Sequence, residues 1–138
     1  MPNASNDVSP NDRIAILDMS DTISLIPMVG VIDSTRSQLL MESTLDVIQR
    51  KNKLVVIVDI LGIATVDSAV AAYLIKLSNA TRLMGCETII SGISPEIAQT
   101  MVNLGISLQD VQTNNSLKNA ILTAYRIVGL HLTSVDHD

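Results

Sequence analysis

The chain has 138 residues, 47% of them apolar but with two tyrosines as the only aromatics, and it carries a net charge of −5. That length makes one domain with a self-sufficient core, which must here be aliphatic. The acidic balance and the lack of aromatic stacking surface argue against nucleic acid as a partner, and no apolar stretch approaches the roughly 20 residues of a membrane-spanning helix.

Residues 1–12, MPNASNDVSPND, are polar and predict a flexible lead-in. They contain neither a basic n-region nor an apolar h-region, so no secretory signal is expected and a cytoplasmic protein follows. Arg13–Leu17 predicts a first strand, Asp18–Asp21 a turn, and Thr22–Val29 a second strand. So short a gap admits no helix, which makes these two strands an antiparallel hairpin. Pro27 suits an edge strand or a bulge, because it cannot donate to a sheet ladder.

A first helix follows, with Asp33 or Ser34 as its cap and Leu39, Leu40, Leu45 and Ile48 as its apolar face. It ends in the polar run Gln49–Lys53, whose cations complement the C-terminal dipole. Leu54–Ile57 is an apolar β-branched run without alternation, the pattern of a strand covered on both faces, and is expected to end near Asp59.

Helical periodicity then takes over. Val70, Leu74, Leu77, Thr81 and Met84 fall close to one stripe, with Lys76, Asn79 and Arg82 mostly on the other side. Asp67 is the natural N-cap, since its carboxylate accepts from a free first-turn N–H and complements the dipole. Ser68 then sits in the first turn, where the helix N-terminus tolerates a phosphoryl group. On spacing alone, Asp67-Ser68 reads equally as a plain cap. Gly85 is placed to stop this helix.

Glu87–Ser91 predicts a short strand. Ser94-Pro95-Glu96 is a strong helix start, and that third helix runs through Ile97, Met101 and Leu104 to Gly105. Ile106–Val111 leaves room for a brief strand. Residues Thr113–Ser116 cap a last helix over Leu117, Ala120, Ile121, Ala124 and Ile127, expected to end at Gly129 with a frayed tail at 130–138. The order gives an α/β domain over 13–129 with a small mixed sheet and helices packed on it.

Chemistry-bearing residues are few. Cys86 is the only cysteine, which excludes an internal disulfide and a Cys-rich zinc site and leaves a small buried hydrophobe. His131 and His137 lie in the tail, far from any acidic pair with ligand spacing, so no metal site is expected. No dinucleotide or P-loop motif occurs, and Ser68 has no histidine base, so neither a cofactor nor an enzyme of its own is indicated. A two-component receiver phosphorylated on Asp59 is the rival reading. It lacks the acidic pair after the first strand, where Asp18 stands alone, and the late lysine.

The stretch from Val55 to Leu108 resembles the STAS domain of bacterial anti-sigma-factor antagonists, most of all the stressosome scaffold proteins. The resemblance rests on D-I-x-G-x-x-x-V-D-[ST] at Asp59–Ser68 and G-I-x-P-E-I-A-Q-T at Gly92–Thr100, and covers roughly residues 14–128. It implies a non-catalytic regulator of a stress-signalling, partner-switching pathway. The hydroxyl after the capping Asp, here Ser68, would be phosphorylated by a partner serine/threonine kinase of the GHKL type. Asp59, Asp67 and Ser68 would form the partner surface, and sibling STAS scaffolds or further copies of the chain would assemble with it. R-type scaffolds usually carry Thr at the Ser68 position and an N-terminal sensor domain, so the chain is expected to be an S-type single-domain member, a stand-alone relative or a piece cut from a longer protein. The same resemblance marks Thr100 as a second phosphorylatable residue, although three residues after Ile97 it also reads as a partly buried packing residue. A generic STAS interaction module that binds nucleotides or proteins is the alternative.

Overall fold

The computed structural model describes residues 14–105 and 111–136. Five strands and four helices follow in the order β1 (Leu17–Asp18), β2 (Ile23–Gly30), α1 (Ser34–Lys51), β3 (Val55–Ile63), α2 (Ser68–Leu83), β4 (Glu87–Ser91), α3 (Pro95–Asn103), β5 (Gln112–Asn114) and α4 (Leu117–Asp136). The sheet order is β1-β2-β3-β4-β5, with β1 antiparallel to β2 and every other neighbour pair parallel. The α/β class and the mixed sheet are therefore as expected.

Three successive β-α-β crossovers step across the sheet in one direction. Because such crossovers share one hand, α1, α2 and α3 are delivered to one face. The side chains show it. Val56, Val58 and Ile60 of β3 join Leu40 and Val47 of α1, Leu74 and Leu77 of α2, and Ile97 and Met101 of α3 in one core. Val55 and Ile57 point the other way and pack with Ile23, Ile89 and the small Ala120 and Ala124 of α4. β3 is thus covered on both faces, which explains its unbroken apolar run.

Four boundaries differ from the sequence reading. β1 is only two residues long and begins where the Arg13–Leu17 strand should end. β3 continues past Asp59 to Ile63, because Ile60 and Ile63 are buried like the residues before them. A strand lies at Gln112–Asn114, overlapping the expected cap at Thr113–Ser116, and the stretch 106–110, where a brief strand was expected, lies outside the described residues. Finally, α4 does not stop at Gly129 but runs to Asp136. Gly129 is not among the glycines of positive φ, so it lacks the left-handed backbone that ends a helix. Pro27 sits next to a register shift in the β2–β3 ladder and beyond the reach of the short β1, so both parts of its reading hold.

The hairpin is fastened from below by lysines. Asp18 Oδ2 accepts from Lys51 Nζ at 2.8 Å and its Oδ1 lies 3.1 Å from Lys53 Nζ, which also donates to the Ser20 carbonyl at 2.8 Å. Hydrogen bonds from Lys51 and then Lys53 hold the Asp18 carboxyl below its ordinary value of 3.8. A carboxyl whose pKa is lowered by folding stabilises the fold above its unfolded pKa, and that contribution is lost as the pH falls through the folded value. Asp18→Asn is accordingly expected to lower the Tm at pH 7, where it leaves the buried Lys53 ammonium without its carboxylate. Thermal melts of both proteins in steps from pH 7 downward should converge once the pH passes below the folded Asp18 pKa.

Candidate functional site

β2, β3 and β4 all end at one rim of the sheet, and α1, α2 and α3 all begin there. At the start of α2, Asp67 has extended backbone (φ −97°, ψ −178°), and its Oδ1 accepts from the Val70 N–H at 2.8 Å. The preceding loop is anchored by Ile63 and Val66, both buried, and it leaves Thr65, Asp67 and Ser68 exposed. Ser68 is the first helical residue. Its hydroxyl therefore stands free on the surface, beside a carboxylate already committed to the cap.

Asp59 is not part of that cluster. Two residues on from Ile57, it falls on the sheet face that α4 covers, whereas α2 packs on the other. It is half-buried and its Oδ1 accepts from Ser91 Oγ at 2.8 Å. Gly92, with φ +78°, lies directly above: a Cβ built there would be 2.6 Å from Asp59 Oδ1 and 2.7 Å from the Leu61 backbone N. The D-I-x-G and G-I-x-P-E segments thus meet in space through Asp59, Ser91 and Gly92, a contact invisible in either segment alone.

Thr100 lies mid-helix in α3, away from the rim. It is exposed rather than partly buried, and its hydroxyl donates to the Glu96 carbonyl at 2.9 Å. Cys86 is buried as expected. Burial, and then the charge of Glu87, push its thiol up to about 12, so it is no nucleophile at neutral pH. Among the described residues no group of three or more His, Cys, Asp or Glu is placed to hold a metal ion. No helix among them is long and apolar enough to cross a membrane.

Two features of the rim escaped the sequence reading. Val29, Val31 and Leu61 are exposed there by 65%, 74% and 69%. They flank glycines at the ends of β2 and β3, which was the signal available for them. The second is Arg36, buried at the start of α1, whose Nη1 donates to the carbonyls of Val29 and Val31 at 2.6 and 2.8 Å. It fixes the loop that carries those valines. Arginine in a helix's first turn looks unremarkable in a sequence, and only the path of its side chain reveals this.

The STAS domain profile matches residues 15–120. The RsbT co-antagonist protein RsbRA of Bacillus subtilis (strain 168) is 39% identical over 120 residues, which cover 87% of this chain and 44% of that protein. The chain thus spans less than half the length of this relative. Among solved structures, a Ser-to-Glu variant of RsbS from Moorella thermoacetica superposes with a TM-score of 0.72 at 23% identity, covering 84% of this chain and 97% of that one. A chain from the molecular architecture of the stressosome gives 0.66 at 24% identity, covering 83% and 98%.

Proposed function

The chain belongs to the STAS-domain family, and from that premise we propose that it is a non-catalytic regulator in a bacterial stress-signalling, partner-switching pathway. Its output is set by phosphorylation of Ser68. The partner is a serine/threonine kinase of the GHKL type that engages the rim around the start of α2. Sibling STAS scaffolds or further copies of the chain complete a cytoplasmic assembly. Asp59 contributes by holding the end of β3, Asp67 by presenting Ser68, and Thr100 is a second, separate acceptor on α3.

The observation that carries this reading is the exposed Ser68 hydroxyl in the first turn of α2, within a D-I-x-G-x-x-x-V-D-S segment. A relative whose name makes it a co-antagonist of RsbT, 39% identical over the matched region, supports it. So do the apolar residues left uncovered at the rim, where Val29, Val31 and Leu61 stand at the ends of β2 and β3. Exposed apolar side chains gathered at one edge mark a contact surface more often than a bare one.

The test is recovery of the partner. Tagged wild type and Ser68→Ala, each used as bait in extract of the source cell, should both retain a GHKL-type kinase, and Ser68→Ala should retain more of it when ATP is present. Recovery of a transporter or a metabolic enzyme in place of a kinase would favour the generic interaction module.

A further inference from the structure

The last helix carries two stripes. Ala120, Ala124 and Val128 of α4 are buried against the sheet. Lys118, Leu122, Tyr125 and Gly129 form a second stripe on another side, and all four are exposed, Leu122 by 60% and Tyr125 by 49%. Leu132 and Asp136 continue the same spacing of four and three in the sequence, to the last residue of the helix. Alternating steps of three and four are the seam of a coiled coil, and from Lys118 to Asp136 this seam is about 27 Å long.

Gly129 is the odd member of the stripe. It stands inside a helix, where glycine costs backbone entropy, and its φ is not positive, so it supplies no turn. Nothing among the described residues lies within 4 Å of where its Cβ would be, so no packing seen within the chain requires glycine there. A glycine in the middle of an exposed seam leaves a gap for a side chain from outside. Tyr125, one turn earlier, is the bulkiest side chain of the same stripe.

The seam complements itself in one orientation. With a second copy of α4 antiparallel and the two-fold axis at the level of Ile127, Tyr125 meets Gly129 of the second copy, Leu122 meets Leu132, and Lys118 meets Asp136, each pair occurring twice. Large then faces small, apolar faces apolar, and a cation faces an anion at both ends. In a parallel pair Lys118 would face Lys118, Asp136 would face Asp136, and the two glycines would share a layer. Lys118 has no ion pair among the described residues, and Asp136 is the only acidic residue of α4.

We propose that the chain forms a two-fold dimer through the outer stripe of α4, with the second copy antiparallel. The proposal rests on the reading above in which further copies of the chain join the assembly, and names the surface they use. Because β5 runs parallel to β4 and ends at the same rim, α4 starts near that rim and runs away from it. The antiparallel pair therefore turns the two Ser68 rims in opposite directions, each open to its own kinase.

The test is sedimentation equilibrium of the chain over a range of micromolar concentrations, with circular dichroism confirming that each variant is folded. Wild type is expected to be a dimer in equilibrium with monomer, and Leu122→Asp a monomer. Lys118→Glu and Asp136→Lys each place like charges together at both ends of the seam, so each should weaken the dimer about tenfold, and the double variant should restore it. Gly129→Ala should weaken the dimer while raising the Tm of the dilute chain, since alanine favours a helix over glycine where nothing packs. A dimer unmoved by Leu122→Asp and by the charge exchange overturns this interface and leaves self-assembly standing. A monomer at every concentration overturns both, and flotation of that monomer with phosphatidylglycerol vesicles would assign the stripe to a membrane surface.

Discussion

Phosphorylated at Ser68, the protein should bind its kinase partner about 30-fold to several-thousand-fold more weakly than the unmodified chain, a loss of about 2–5 kcal/mol. The modification adds about −1.5 to −2 charges on three acceptor oxygens. The helix N-terminus accommodates that group, so the fold should lose little stability. Docking suffers instead. The adjacent Asp67 carboxylate already accepts from the Val70 N–H and remains exposed, so the phosphate would place two like charges side by side on the proposed docking surface. Val29, Val31 and Leu61 make the surrounding rim apolar, so closing a partner over it strips water from the dianion. Ser68→Asp should reproduce only part of the loss, having one charge and a shorter reach, and Ser68→Ala should hold the bound state. Titration calorimetry with the purified kinase compares these affinities. Equal binding by phospho-Ser68 and unmodified protein would refute the mechanism.

Gly92→Ala is expected to destabilise the fold by about 3 kcal/mol, through two effects of about 1–2 kcal/mol and about 1–3 kcal/mol. The first is backbone: Gly92 has φ +78°, a conformation costly for any residue with a Cβ. The second is overlap, since the new Cβ would sit 2.6 Å from Asp59 Oδ1, 2.7 Å from the Leu61 backbone N and 2.8 Å from Leu61 Cβ. Two of these three are fixed by the backbone of β3, so the chain must separate the ends of β3 and β4 and break the Ser91–Asp59 hydrogen bond. Urea unfolding should show the midpoint moved sharply down with the slope unchanged. Gly105→Ala is the control. It carries a similar φ of +72° with nothing among the described residues within 4 Å of the added Cβ, so it should show the backbone cost alone.

Much of this protein is legible in its sequence, and the reason is that the legible parts are local. Caps, helix stripes and the strand–helix alternation depend on residues three or four apart. Asp67 and Ser94 therefore announced their helices, Gly85 its stop, and Cys86 its burial. Ser68 belongs to this class too, since its place in the first turn follows from the cap before it. The α/β class followed from the order of elements, because a two-strand opening with no helix between its strands permits only an antiparallel hairpin.

What depended on the third dimension was beyond reach. Asp59 looks in sequence like the end of a strand and a neighbour of Ser68. Pairing with β2 and the burial of Ile60 and Ile63 carry the strand onward, and strand parity turns Asp59 to the opposite face, where Ser91 binds it. The ion pairs of Asp18 with Lys51 and Lys53, 33 and 35 positions away, likewise need the hairpin folded beneath the end of α1. Gly129 resembles a helix stop because glycine usually is one, yet α4 packs along the sheet and carries the helix through it. Sequence alone determined which elements form and which hydroxyl begins α2. Tertiary packing decided which side chains meet, because a β-strand alternates its faces at every residue and its neighbours come from distant parts of the chain.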